Sequence, residues 1–120
     1  MKKILVAYFS ASGNTAKLAG RIAEATGGGF YENIPRMLKE GTRAVVEKNS
    51  YPVLPIFKLL AEKGNIDEQM MYNTYNMGLG MILAVDAADV DKTMEAIKAA
   101  GDTPYVVGRI EDGEKGVTLC

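Results

Sequence analysis

The feature that most constrains the fold is a short apolar run close to the N-terminus. Residues 4–8 read Ile-Leu-Val-Ala-Tyr, with no alternation between apolar and polar side chains. Such a run is typical of a strand that is covered on both faces. A polar segment at residues 10–15 and a helical pattern over about residues 15–25 follow. The first 25 residues therefore predict a strand, a tight loop and a helix.

The rest of the chain predicts a mixed succession of helices and strands. Strands are expected at residues 42–46, 79–85, 105–110 and 117–119. We expect a short helix with Pro35 in its first turn. A second helix should run from Pro55 to Gly64, and a third should be N-capped by Asp67. Asp86 should cap a fourth helix that continues to Ala100.

The helix from Pro55 to Gly64 carries apolar residues at helical spacing. We expect Ile56, Leu59 and Leu60 to face the core. Near the C-terminus, residues 111–116 have the composition of a hairpin turn. The last two strands should therefore pair as an antiparallel hairpin, whereas parallel pairing is expected for the N-terminal unit.

These elements predict an α/β fold (formally α+β), with a single mixed sheet of four or five strands and helices packed against it. The length of 120 residues predicts a single domain over residues 1–120. Within it, residues 1–26 form the β-loop-α unit and residues 27–120 form the larger remaining portion.

Composition excludes several classes of chemistry. The chain has no His and a single Cys, so a histidine base, a histidine metal ligand, an internal disulfide and a zinc cluster are excluded. The formal net charge of −1 gives no basic face for nucleic acid. No apolar run reaches the length of a membrane span. We therefore expect a cytoplasmic protein that binds neither nucleic acid nor membrane and holds no metal.

The polar loop after the first strand has the chemistry of a phosphate site. Small residues allow the backbone to approach an anion, and side-chain hydroxyl and amide groups add donors. The alternative is a capped turn between strand and helix. The loop resembles the Ser/Thr-x-Ser/Thr-Gly-Asn-Thr segment of flavodoxins over about residues 2–27. That resemblance implies that the phosphate of FMN is bound by Ser10, Ser12, Gly13, Asn14 and Thr15. The segments that hold the flavin ring in flavodoxins have no counterpart later in the chain.

A second motif starts at the triple glycine. Residues 26–36 read Thr-Gly-Gly-Gly-Phe-Tyr-Glu-Asn-Ile-Pro-Arg, similar to the TGGG-x-x-ENIPR signature of aminoimidazole ribonucleotide (AIR) synthetase, or phosphoribosylformylglycinamidine cyclo-ligase. Residues 51–57, 71–81 and 105–110 resemble later segments of the same family. The resemblance covers about residues 26–120 and implies an AIR synthetase C-terminal-domain-like fold.

The resemblance implies an ATP-dependent imidazole ring closure in purine biosynthesis, with Mg as the companion of ATP. A phosphorylated small molecule is then the expected ligand, and the residues that match the signature are Thr26, Gly27, Gly28, Gly29, Asn33 and Arg36. From the residues alone, the triple glycine can also be a flexible helix stop. The Asn76–Gly80 segment can be a tight turn into a strand. No catalytic residue is assigned.

The resemblance also indicates what this chain lacks. Members of the family carry an N-terminal domain that makes most ATP contacts, and nothing here resembles it. A histidine usually lies two residues before the threonine of TGGG, where this chain has Glu24. The chain therefore reads as a chimera joined near residues 20–27. We expect a truncated cyclo-ligase relative that is inactive alone and associates with itself or with a separate N-terminal-domain partner. The alternatives are a small flavodoxin-like FMN or phosphate-binding module and a nonfunctional fragment.

Overall fold

The computed structural model describes residues 3–9 and 29–120. The bounds of its elements, in chain order, are β1 Lys3–Phe9, α1 Gly29–Asn33, a 3-10 helix Ile34–Met37, β2 Thr42–Val46, α2 Pro55–Gly64, α3 Glu68–Thr74, β3 Met81–Asp86, a 3-10 helix Ala87–Asp89, α4 Val90–Ala99, β4 Thr103–Asp112 and β5 Gly116–Leu119. The predicted helix over residues 15–25 lies outside the described residues.

The five strands of the described residues form one sheet in the order β3-β1-β4-β2-β5. Strand β1 pairs antiparallel with β3 and with β4, so the expectation of parallel pairing at the N-terminal unit is wrong. Parallel pairing occurs instead between β2 and β5. The mixed α/β architecture with a single five-stranded sheet is confirmed for the part of the chain that the structure describes.

The predicted C-terminal hairpin is also wrong, because β2 lies between β4 and β5. Arg43 of β2 shows why this arrangement is stable. Its Nε atom donates to Thr118 Oγ1 at 2.6 Å, and its guanidinium also donates to the carbonyl oxygens of Glu114 (3.1 Å) and Val117 (2.9 Å). These charge-assisted bonds hold the end of the chain against β2 rather than against β4.

The apolar run at residues 4–8 occupies the interior of the sheet, as predicted. Leu5, Val6 and Ala7 are fully buried. Leu5 and Ala7 belong to the main core with Phe30 and Ile34, on the face covered by α1, α3 and the first 3-10 helix. Helix α4 packs on the opposite face through the buried side chain of Ile97. A strand with both faces covered has to be apolar throughout.

Helix α2 packs on the core through only one of the three residues predicted to do so. None of its residues is buried, and the expectation that Ile56 and Leu59 face the core is wrong, because these two side chains are 50% and 48% exposed. Leu60 is partly buried and packs against the core cluster, together with Phe57 and Ala61.

Two capping predictions have different outcomes. Asp67 does cap α3, since its Oδ1 atom accepts from the Met70 amide at 2.8 Å. Asp86 makes no side-chain capping bond, so that prediction is wrong. Its carboxylate instead pairs with Lys3 Nζ at 2.8 Å across the β1–β3 ladder, where the two residues lie opposite each other.

The pairing of β1 with β4 contains a bulge. Leu5 lies opposite Gly108 and Val6 lies opposite Val106, so Val107 is the additional residue. Gly108 also lies opposite Val46 of β2, and a Cβ atom at this position would overlap the carbonyl oxygen of Val45. Glycine therefore permits the close approach of β2 to β4 next to the bulge.

Replacing Gly108 with Ala should destabilise the chain by about 1–3 kcal/mol, because the new methyl group overlaps backbone atoms of Val45 that cannot rotate away. Val106→Ala, two residues earlier at an exposed position, should change the free energy of unfolding by less than about 1 kcal/mol. Urea denaturation of both variants measures the difference, and equal costs would contradict the described register.

Two buried tyrosines make stability depend on alkaline pH. Burial raises the pKa of Tyr51 above its ordinary value of 10.0, and the neighbouring Tyr72 adds to the effect. The pKa of Tyr72 is also raised, again mainly by burial. The folded chain therefore holds the phenolic proton of Tyr51 more tightly than the unfolded chain does.

This contribution to stability is complete below the pKa of the unfolded tyrosine and is lost as the pH rises above it. Tyr51→Phe, which has no proton to lose, should therefore show a smaller drop in unfolding free energy between about pH 8 and about pH 11. Urea titrations at both pH values give the comparison. An equal loss of unfolding free energy in parent and variant would show that Tyr51 ionises equally easily in the folded and unfolded chains.

Candidate functional site

The candidate site lies where α1 meets the end of α3. Gly29 begins α1 with φ +52°, and a Cβ atom there would overlap the carbonyl oxygen of Tyr72 and approach that of Tyr75 to 2.7 Å. The rings of Phe30 and Tyr72 meet edge to face with centroids 5.2 Å apart. Glycine at position 29 is therefore required both for the backbone angle and for the contact between the two helices.

Hydrogen bonds fix the signature segment on this support. Asn33 Nδ2 donates to the carbonyl oxygen of Gly29 at 2.9 Å, which closes the single turn of α1. Asn73 Nδ2 donates to Glu32 Oε1 at 3.4 Å and joins α3 to α1. Pro35 then lies in the first turn of the 3-10 helix, as predicted, and the chain turns so that Arg36 follows.

A second segment reaches the same place from α3. Met77 and Gly78 both have positive φ angles, +50° and +94°. Leu79 donates its amide to the carbonyl of Asn76 at 3.0 Å, and Gly80 donates its amide to the carbonyl of Tyr8 at 3.0 Å. The predicted tight turn is therefore present, and it connects α3 to the sheet at the end of β1.

The two segments line an open cavity of about 330 Å³, a volume at the lower end of small-molecule sites. Its described lining comprises Gly29, Phe30, Asn33, Ile34, Arg36, Met37, Asn76, Leu79, Gly80, Met81 and Ile82. Arg36 is the single charged side chain in that lining. The lining therefore combines one cation and two asparagines with an apolar wall.

Three of the predicted site residues meet in this cavity, namely Gly29, Asn33 and Arg36. Thr26, Gly27 and Gly28 lie outside the described residues, as do the predicted FMN-phosphate residues Ser10, Ser12, Gly13, Asn14 and Thr15. Both phosphate assignments at those positions therefore stay predictions.

Sequence reasoning left Asn76 and Gly80 out of the site, although it singled out their segment. The sequence did contain a signal, namely one asparagine and two glycines around the start of the predicted strand at residues 79–85. Such glycines often allow a backbone to approach either a neighbouring element or a ligand. In this chain the glycines allow the backbone to approach a neighbouring element, because the Gly80 amide bonds to the Tyr8 carbonyl oxygen. The resulting turn also lines the cavity.

A search for a metal-binding cluster and for a membrane-spanning helix is possible over the described residues, 3–9 and 29–120. Within these ranges no group of three or more His, Cys, Asp or Glu side chains is placed to hold a metal ion. No helix among them is long and apolar enough to cross a membrane.

Replacing Gly29 with Ala should disrupt this site, and Gly41→Ala is a matched control. Both glycines have positive φ, but a Cβ atom at Gly41 would meet nothing within 4 Å. Gly41→Ala should therefore cost only the backbone term of about 1–2 kcal/mol, whereas Gly29→Ala should cost about 1–3 kcal/mol more. Urea denaturation measures both, and equal costs would contradict the contact between α1 and the end of α3.

Comparison with known proteins agrees with this architecture. Residues 3–120 match the family described as AIR synthase related protein, C-terminal domain. That match includes β1, which the sequence alone assigned to a flavodoxin-like unit. A flavodoxin relationship has no support among these findings.

Three relatives carry the name phosphoribosylformylglycinamidine cyclo-ligase. The protein from Agathobacter rectalis is 75% identical over 108 residues, which are 90% of this chain and 31% of the relative. The protein from Lachnospira eligens is 73% identical over 79% of this chain and 28% of its own length. The protein from Acetivibrio thermocellus is 48% identical over 82% of this chain and 29% of its own length.

The chain thus spans less than a third of the length of these relatives. The family match nevertheless extends over nearly all of its residues, and the cavity is built from the segments that carry the resemblance. The chain belongs to the AIR synthase related family, as a relative of the C-terminal domain of phosphoribosylformylglycinamidine cyclo-ligases.

Proposed function

We propose that this chain contributes the anion-binding part of a cyclo-ligase site. It binds a phosphorylated ribonucleotide of the formylglycinamidine type but does not close the imidazole ring by itself. The observation that carries the proposal is the cavity in which Gly29, Asn33 and Arg36 meet the turn at residues 76–80. We infer the link to purine biosynthesis and to cyclo-ligase chemistry from the family to which the chain belongs.

The lining of the cavity suits a ligand with one anionic group and a less polar body. A guanidinium at Arg36 can donate two parallel hydrogen bonds to a phosphate. Asn33 is engaged within the protein through its bond to the Gly29 carbonyl oxygen, so binding of the anionic group rests on Arg36. The apolar residues Phe30, Ile34 and Ile82 supply the contact area that usually accounts for most of the burial of a ligand.

The same lining does not suit a complete ATP–Mg site. Magnesium in proteins is held by one or two carboxylates together with phosphate oxygens, and no Asp or Glu is among the described residues around the cavity. ATP and Mg, which the family resemblance implies, would need groups from elsewhere. This mismatch supports the proposal that ring closure requires polypeptide beyond the residues described here.

The test is a thermal melt followed by far-UV circular dichroism, with and without formylglycinamidine ribonucleotide. The ligand should raise the melting temperature of the parent chain, because it binds only the folded state. Arg36→Ala should melt within a few degrees of the parent without ligand, since Arg36 is exposed, but should lose most of the ligand-induced shift.

Arg109→Ala is the matched control, because Arg109 is an exposed arginine outside the cavity that pairs with Glu47 and Glu111. This variant should keep the ligand-induced shift of the parent. Equal responses from the two arginine variants would contradict binding at Arg36. Release of ADP by the pure parent chain when ATP and the ribonucleotide are supplied would contradict the absence of turnover.

A further inference from the structure

A second cavity lies on the opposite face of the sheet from the candidate site, where α4 packs against β1 and β3. Its volume is about 400 Å³, within the range of small-molecule sites. Its described lining includes Tyr8, Leu83, Lys92, Ala96, Ala100 and Asp102. No described residue lines both cavities, so this second cavity, the α4 cavity, is a separate feature of the fold.

The α4 cavity follows one side of its helix. Lys92, Ala96 and Ala100 are spaced four residues apart, so they lie above one another on the same side of the helix. At the helical rise per residue, the first and last of them are about 12 Å apart along the axis. The small side chains of the two alanines leave space beside Leu83. The middle of the cavity is therefore apolar, and its two ends differ.

Asp102 makes one end of the α4 cavity negative. Its amide donates to the carbonyl oxygen of Ile97 at 3.2 Å, which holds the residue against the last turn of α4. Its Oδ1 atom is shielded from solvent and accepts no hydrogen bond within the described part of the chain. A carboxylate is unfavourable beside the negative end of a helix dipole, and a shielded acceptor without a donor adds to that cost. A cation bound at this end would relieve both.

Lys92 makes the other end of the α4 cavity positive. It is an exposed residue in the first turn of α4, where the helix dipole is also positive. The ion pairs found among the described residues do not include it. Asp91, the acidic residue of the same turn, is not part of the described lining. This end therefore favours an anionic group.

We propose that the α4 cavity binds an elongated zwitterion, with its ammonium group at Asp102, its anionic group near Lys92 and an apolar chain between them. The side-chain charges and the helix dipole agree at both ends, and together they set the orientation of the ligand. Tyr8 lies opposite Pro104, two residues after Asp102, and adds an aromatic wall that favours a cation near this end. The site is independent of the proposed function at Arg36.

The probe for this site is 6-aminohexanoate, an ammonium and a carboxylate joined by a methylene chain. It is titrated into the isotope-labelled chain and followed by the amide signals in two-dimensional NMR. The signals of Ala96, Ala100 and Asp102 should shift and saturate, whereas those of Asn33 and Arg36 at the candidate site should not. Hexanoate should bind roughly tenfold more weakly, because it lacks the charge-assisted bond to Asp102.

The same titration can overturn the proposal in three ways. The first is the absence of saturable shifts with 6-aminohexanoate. The second is a set of shifts that leaves Ala96, Ala100 and Asp102 unchanged. The third is an equal affinity for hexanoate, which would show that the ammonium group makes no contribution.

Variants test the two ends of the cavity separately. Asp102→Asn keeps the shape of the side chain but removes its charge, and it should weaken 6-aminohexanoate binding roughly tenfold. Asp112→Asn is the matched control, because Asp112 is an exposed acid outside the described lining, and it should retain the parent affinity. Lys92→Ala should weaken the binding of 6-aminohexanoate but not that of hexylamine. Parent affinity for 6-aminohexanoate in both Asp102→Asn and Lys92→Ala would refute the proposed site.

Discussion

The antiparallel pairing of β1 with both β3 and β4 is the interaction on which the rest of the structure depends. Strand β1 supplies the fully buried residues Leu5, Val6 and Ala7 and separates the helices on the two faces of the sheet. The carbonyl at Tyr8 also accepts the Gly80 amide. The end of β1 therefore fixes the turn that forms one wall of the candidate site.

Two glycines make this arrangement compatible with close packing. Gly108 allows β2 to approach β4 beside the bulge, and Gly29 allows α1 to approach the carbonyl end of α3. The contact at Gly108 lets β2 pair closely with β4, and the contact at Gly29 places the signature segment beside the cavity. A protein interior packs densely enough that even one added methyl group at such a contact has to displace a neighbour.

Local signals predicted the elements well, whereas the order of the strands and the outward face of α2 depended on distant contacts. The limits of β2 and α2 and the Asp67 cap all follow from residues a few positions apart. The hairpin prediction failed because β2, more than 70 residues before the last strand, inserts between β4 and β5 and pairs with both, and Arg43 adds side-chain bonds to the last strand. Helical spacing placed Ile56 and Leu59 together correctly but could not show which side of α2 meets the core. For the site, the signature residues Gly29, Asn33 and Arg36 were predicted from sequence, whereas their meeting with the turn at residues 76–80 required the fold.

Amide hydrogen exchange of β1 is the most direct test of this account. If β1 is an interior strand that completes the sheet of this family, the amides of residues 4–8 should be among the slowest to exchange and should open only with global unfolding. Their exchange rates should then match those of β4, their neighbour in the sheet. Rapid exchange in β1 while β4 stays protected would show that the N-terminal strand is not part of the folded sheet, and would contradict the account.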